Sequence, residues 1–279
     1  MMAEWSLAVK QARFARLCEE AIMERHTMGD AGIGTLAEKR LHSLIKRFLC
    51  EDTDCHEVGV AATRFVSDIR IGNDIYEVQT GAFYPMRRKI EYYLNSTECT
   101  VTVVHPIPVV RWNSWIDPQT KEITKPKKSP KRGRAIDLLP ELYALLPMLG
   151  NPRLRFRLLM LEVQDFRILN GWSHDRKRGS ERYERIPVSL LDDLFFSAPE
   201  DFRSLFPNGL VSPFPVKEYS RLTGIRGRDA YSAVRSLAAL GVLVPAPPIG
   251  RSMAWSATTP AEAEDAVTDG QKRKPWEDV

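Results

Sequence analysis

Leu41, Leu44, Ile45 and Phe48 fall at i, i+3, i+4 and i+7, a spacing that gathers apolar side chains on one face of a helix. Thr35-Leu36-Ala37-Glu38 just ahead is a capping-box pattern, so the helix is expected to open there and to end near Cys50. Three short segments then read as strands: 57–62, 64–71 and 74–80. Pro85 suits the first turn of a second helix with Met86, Ile90, Tyr93 and Leu94 inward, and Asn95 to Thr97 breaks it. The β-branched run from Thr100 to His105 predicts a buried strand. Beyond it, 137–150 reads as a helix limited by Pro140 and Pro147, 154–169 as a long strand or hairpin, and 183–188 as its partner. At the other end, 3–25 forms an amphipathic helix candidate.

The second and third strands carry the most chemistry. A two-residue loop at Gly72-Asn73 pairs Ile71 with Asp74, Arg70 with Ile75, Ile69 with Tyr76 and Asp68 with Glu77. Gln79 then points to the Glu77 face. Cross-strand carboxylates about 4.5–5.5 Å apart repel and weaken a hairpin. A hard divalent cation reverses that sign, because it takes carboxylate oxygens. A three-residue loop would make the pair diagonal, and a solvated hairpin face can carry two acids without any ligand.

From Pro213 the pattern changes. Val216 to Thr223 reads as a short helix and Gly224 to Gly227 as a tight turn. Arg228 to Leu240 is a longer helix stopped by Gly241 at C′. Val242 to Val244 and Met253 to Ser256 are expected strands around a tip with Pro247, Pro248 and Gly250. Residues from about Thr258 lack periodicity and are expected to be disordered.

Charge adds a second kind of signal. The formal net charge is only +4, but Lys121 to Arg134 holds seven basic residues against Glu122 alone. Pro, Gly and Ser punctuate it, so it is expected to be neither helix nor strand but a flexible arm. Lys127, Lys128, Lys131 and Arg132 are its candidate phosphate contacts. A weaker basic cluster lies at Asp175 to Ser180. Trp112, Trp115 and Trp172 flank these loops; stacking on bases is conceivable chemistry for them, and packing is the commoner use. The four cysteines form no CxxC pair or Cys/His cluster, which argues against a zinc knuckle or a disulfide framework. No apolar run is long enough to span a membrane and no signal-peptide core is visible, so a cytoplasmic protein is expected.

Helix, three strands, helix, strand, with acids on the second and third strands, resembles the PD-(D/E)XK nuclease superfamily over residues 33–106. The resemblance implies an α/β (α+β) fold: a restriction-endonuclease-like mixed sheet flanked by helices. It implies a nuclease hydrolysing phosphodiester bonds, with Mg2+ (or Mn2+) held by Asp68, Glu77 and the Val78 carbonyl. Glu38 matches a glutamate that many members carry on the first helix, although at N3 of a capping box it can also serve a backbone N–H. Gln79 stands where the family usually has lysine; it can orient a water or phosphate oxygen but supplies no charge. The 213–257 segment resembles a winged helix-turn-helix, which implies contact with double-stranded DNA through Arg226, Arg228 and Arg235, with Ser232 on the same face. The expected organisation is an N-terminal helix (1–30), a nuclease-like domain (31–197, with 107–197 an elaboration), a winged-helix module (198–257) and a tail (258–279). An inactive DNA-binding or regulatory protein on the same fold, an RNA nuclease, and a dimer are all compatible with these residues.

Overall fold

The computed structural model describes residues 5–28, 37–60, 64–172 and 178–258. Thr35 of the capping box, most of the Asp175 cluster and the tail beyond Thr258 lie outside the described residues. The chain folds as two compact units and passes between them more than once: residues 1–81, 102–134 and 157–194 make the first, 82–101, 135–156 and 195–279 the second.

The first unit is built on a mixed seven-stranded sheet flanked by helices, with strand order β1-β2-β3-β4-β6-β7 and β5 paired to β4. Its strands are β1 (His56–Gly59), β2 (Val66–Ile71), β3 (Asp74–Val78), β4 (Thr100–Ile116), β5 (Lys127–Lys128), β6 (Leu154–Trp172) and β7 (Arg178–Phe196). β1, β2 and β3 form an antiparallel meander. β4 and β6 run in the same direction, since Trp112 reaches Glu162 and Ser114 reaches Gln164. β6 and β7 form an antiparallel hairpin, tied across by Arg185 with Asp165 and Arg157 with Asp193.

The helical spacing read from the sequence explains the core. α1 (Leu7–Met28) and α2 (Ala37–Leu49) bring Phe14, Leu17, Leu41, Leu44, Ile45 and Phe48 onto Ile69, Val78, Val104, Leu159 and Leu161. Phe14 meets Phe48 edge-on with centroids 5.1 Å apart, a favoured aromatic geometry.

Two expectations for this unit change. β4 runs on to Ile116 rather than stopping at His105, despite Pro106 and Pro108. The Val104 carbonyl accepts from Gln79 N–H and the Pro108 carbonyl from Gly133 N–H, so these even-numbered positions face the β3 side. β3 ends at Val78, and the Gln79 carbonyl just beyond it, which Pro106 cannot serve, is taken by His105 Nδ1 instead. The first strand is shorter than 57–62; it ends at Gly59, and 61–63 lie outside the described residues.

In the second unit, Pro85 opens a 3₁₀ turn (Tyr84–Met86) that leads into α3 (Arg87–Ser96), with Met86, Ile90, Tyr93 and Leu94 buried. The helix expected over 137–150 is instead three pieces: a 3₁₀ turn (Ala135–Leu138), α4 (Leu139–Leu142) and a second 3₁₀ turn (Tyr143–Met148). Pro140 fits the first turn of α4, whereas Pro147 cannot donate to a continuing α-helix. α5 (Val216–Thr223) ends at Gly224 in the left-handed conformation, φ 75°, and α6 (Gly227–Ala239) follows. β8 (Phe214–Pro215), β9 (Leu243–Ile249) and β10 (Ser252–Ala257) form a sheet in the order β8-β10-β9. That order leaves β9 at the edge, where its three prolines cost few ladder bonds. α4 packs against α6.

Candidate functional site

The β2–β3 hairpin has the register derived from its loop. Ile71 pairs with Asp74, Arg70 with Ile75 and Ile69 with Tyr76, so Asp68 and Glu77 are the next residues out. Gly72 takes φ +59° in the loop, a conformation glycine adopts without strain. Asp68 Oδ2 accepts a hydrogen bond from Val78 N–H at 2.8 Å, so the carboxylate is held against β3 by the backbone between Glu77 and Gln79. Glu77 is buried, 4 % exposed, whereas the Asp68 side chain keeps 19 % of its surface.

α2 lies along the other side of Asp68. His42 Nε2 is 3.1 Å from the same Oδ2. One helical turn further, Lys46 Nζ is 2.9 Å from Glu57 Oε1 on β1. The Lys46 ammonium holds the Glu57 carboxyl below the usual range, with Asp68 pushing weakly the other way. The β1–β2 register, His56 with Ile69 and Val58 with Ser67, sets Glu57 beside Asp68. Three adjacent strands therefore carry acids at one level, and α2 answers two of them with His42 and Lys46. Glu38 lies one turn before His42 in α2, and its side chain lies outside the described residues.

β4 closes the Gln79 side. Gln79 N–H donates to the Val104 carbonyl at 2.9 Å, and His105 Nδ1 is 2.5 Å from the Gln79 carbonyl. That carbonyl can only accept, so His105 carries its proton on Nδ1. Burial pulls the His105 pKa below the ordinary histidine value, and the Gln79 hydrogen bond offsets part of this. His42, Lys46 and His105 were not singled out in the sequence. The i, i+4, i+8 spacing of Glu38, His42 and Lys46 was visible there; the meeting of His105 with Gln79 depends on strand order and left no local signal.

Asp68, Glu77 and the Val78 carbonyl offer hard oxygen donors, the type Mg2+ takes, and Mg2+ commonly uses one or two carboxylates and keeps water for the rest. The donor set fits such an ion. Among the described residues no group of three or more His, Cys, Asp or Glu side chains converges as a metal cage.

The basic segment is a correction. Instead of a flexible arm, Lys121 to Arg134 folds back along β4. Lys127 and Lys128 form β5, paired with Asn113 and Trp112. Ser129 N–H donates to the Arg111 carbonyl at 2.8 Å and Thr124 N–H to Trp115 at 2.9 Å. The backbone bonds that β4 offers at its free edge outweigh the local turn residues. Lys127, Lys128, Lys131 and Arg132 are all exposed on this fixed ribbon. Trp112 is packed within it: its Nε1–H donates to Glu162 at 2.6 Å, and Lys128 Nζ lies 5.7 Å from its ring centroid.

In the second unit, Arg226 and Arg228 are exposed at the start of α6 and Arg235 is half-buried two turns along. Ser232 is a further correction: it is 5 % exposed and lies on the inner face with Ala233 and Ser236, so it faces no solvent ligand.

No helix among the described residues is long and apolar enough to cross a membrane. Residues 39–197 match a family described as a domain of unknown function, DUF8091, and the chain belongs to that family. No curated protein and no solved structure matches the chain.

Proposed function

We propose that this protein is a metal-dependent nuclease, with a PD-(D/E)XK-like core and a winged-helix module that brings it to DNA. The observation that carries this reading is the β2–β3 register, which makes Asp68 and Glu77 neighbours and sets Gln79 two residues beyond. The order of α2, the β1–β3 meander, α3 and β4 supports it, being the order the family resemblance implies.

Asp68, Glu77 and the Val78 carbonyl are the residues that would hold Mg2+ or Mn2+. Such an ion polarises a phosphate oxygen and lowers the pKa of a bound water. The chain's own residues do the positioning. Val78 N–H fixes the Asp68 carboxylate. His105 fixes the Gln79 backbone, and the Gln79 amide is assigned the orienting of a water or phosphate oxygen. The exposed ribbon at Lys127, Lys128, Lys131 and Arg132 supplies positive charge for the nucleic-acid backbone. Arg226, Arg228 and Arg235 supply it on the helix-turn-helix. Glu38, on the same stripe of α2 as His42, is assigned a supporting contact at the metal.

One observation favours a non-catalytic relative on the same fold: Asp68 Oδ2 is already engaged by His42 and Val78 N–H, and Gln79 brings no charge. Titration calorimetry separates the two. Mg2+ or Mn2+ should bind the wild type with DNA present, and the double variant Asp68→Asn, Glu77→Gln should lose that heat. Absence of metal binding by the wild type, with and without nucleic acid, would rule out the catalytic reading.

A further inference from the structure

α2 ends at Leu49 and β1 begins at His56, and the short connection between them carries two of the four cysteines. Asp52 caps its 3₁₀ turn (Thr53–Cys55), with Oδ1 accepting from Asp54 N–H at 3.0 Å. Cys50 N–H donates to the Lys46 carbonyl at 2.9 Å and Cys55 N–H to the Asp52 carbonyl at 3.3 Å. His56 Nε2 lies 3.0 Å from the Cys50 carbonyl. These bonds curl the connection so that its two thiols come within reach of each other. Both also converge on Asp52: Cys50 Sγ donates to its carbonyl at 3.5 Å and Cys55 Sγ to Oδ2 at 3.9 Å. Both are half-buried against the rim of the first unit's core, while Cys18 and Cys99 are buried.

We propose that Cys50 and Cys55 are a dithiol–disulfide pair, closed by hydrogen peroxide into an internal crosslink that fastens the end of α2 to the start of β1. The chemistry balances in two steps. The Cys50 sulfur attacks the peroxide, the O–O bond breaks, and sulfenic acid and one water form. The Cys55 sulfur then attacks the Cys50 sulfur; the S–S bond forms as the S–O bond breaks, and the departing hydroxide takes the Cys55 proton as a second water. Two thiols lose two electrons, and one peroxide gains them. Burial raises the Cys55 pKa, and the Cys50 thiol and the carboxylates of Asp52 and Asp54 add to it. The crosslink joins the turn that carries Lys46 to the strand that carries Glu57, and it stands whether or not the acids beside them bind a metal.

The test uses the full chain. The folded protein is treated with hydrogen peroxide, blocked with iodoacetamide and digested with trypsin. Cys50 and Cys55 fall in one peptide, Phe48 to Arg64. That peptide should lose the mass of two hydrogens and take up no label, and dithiothreitol before blocking should restore both labels. The same protein unfolded in urea should close the bond more slowly, because the fold no longer holds the thiols together. Full labelling after peroxide, added oxygen on the peptide, a crosslink to another chain, or equal rates folded and unfolded would each overturn the proposal.

Discussion

His105 joins the candidate site to stability through a single proton. Its pKa is depressed in the folded chain chiefly by burial. The unfolded chain, with a histidine pKa of about 6.5, then binds more protons than the folded one as pH falls. Stability should therefore be intact above that value and decline as pH drops below it. Melting temperatures across a series from neutral to mildly acidic pH should show this decline in the wild type and a flatter slope in His105→Gln. Identical slopes would remove His105 from the account. Nothing near His105 in the chain announced this role. TVTVVH reads as a buried strand, and a neutral histidine fits one, but its partner Gln79 arrives only when β4 docks beside β3. His42 is different: its helix face was readable from the spacing, and only its target, Asp68, required the fold.

Whole elements were legible where one local rule decides them. The β2–β3 register followed from a two-residue loop containing Gly72, and the end of α6 from the glycine, Gly241, that stops it. They were illegible where a distant neighbour decides. β4 outruns its prolines because β3 stops first, and the basic segment becomes β5 because β4 has a free edge. Gly133 marks how closely that segment lies. A Cβ there would sit 2.7 Å from Ile107 Cγ2 and 2.9 Å from the Pro108 carbonyl oxygen, and the backbone oxygen cannot swing away. Gly133→Ala should loosen the ribbon while keeping every charge. If the fixed ribbon contacts phosphates, this variant should weaken DNA binding part of the way. Alanine at Lys127, Lys128, Lys131 and Arg132 together should weaken it fully and flatten its salt dependence by roughly one unit of slope per lost contact. Filter-binding titrations across a salt series measure both, and an unchanged slope in the quadruple variant would show that the ribbon does not touch the backbone.

At the scale of the molecule, the chain forms two units, each assembled from several stretches of chain. The C-terminal helices share their unit with α4, which packs on α6, and a long-range pairing of this kind leaves no periodic trace in sequence. The module is therefore best tested in place. Arg228→Ala with Arg235→Ala should cost about 1–3 kcal/mol of duplex affinity for each arginine that reads a base edge. Unchanged gel-shift affinity would favour a protein partner for this face. The central claim concerns chemistry, and cleavage measures it directly. Supercoiled DNA, linear DNA and RNA are each incubated with wild type and Glu77→Ala in Mg2+, Mn2+ or EDTA. The account predicts cation-dependent cutting of DNA by the wild type, none in EDTA, and none by Glu77→Ala although that variant binds DNA within a few-fold of wild type. Cutting that persists in Glu77→Ala or in EDTA, or a wild type that binds DNA and cuts nothing with either cation, would contradict it.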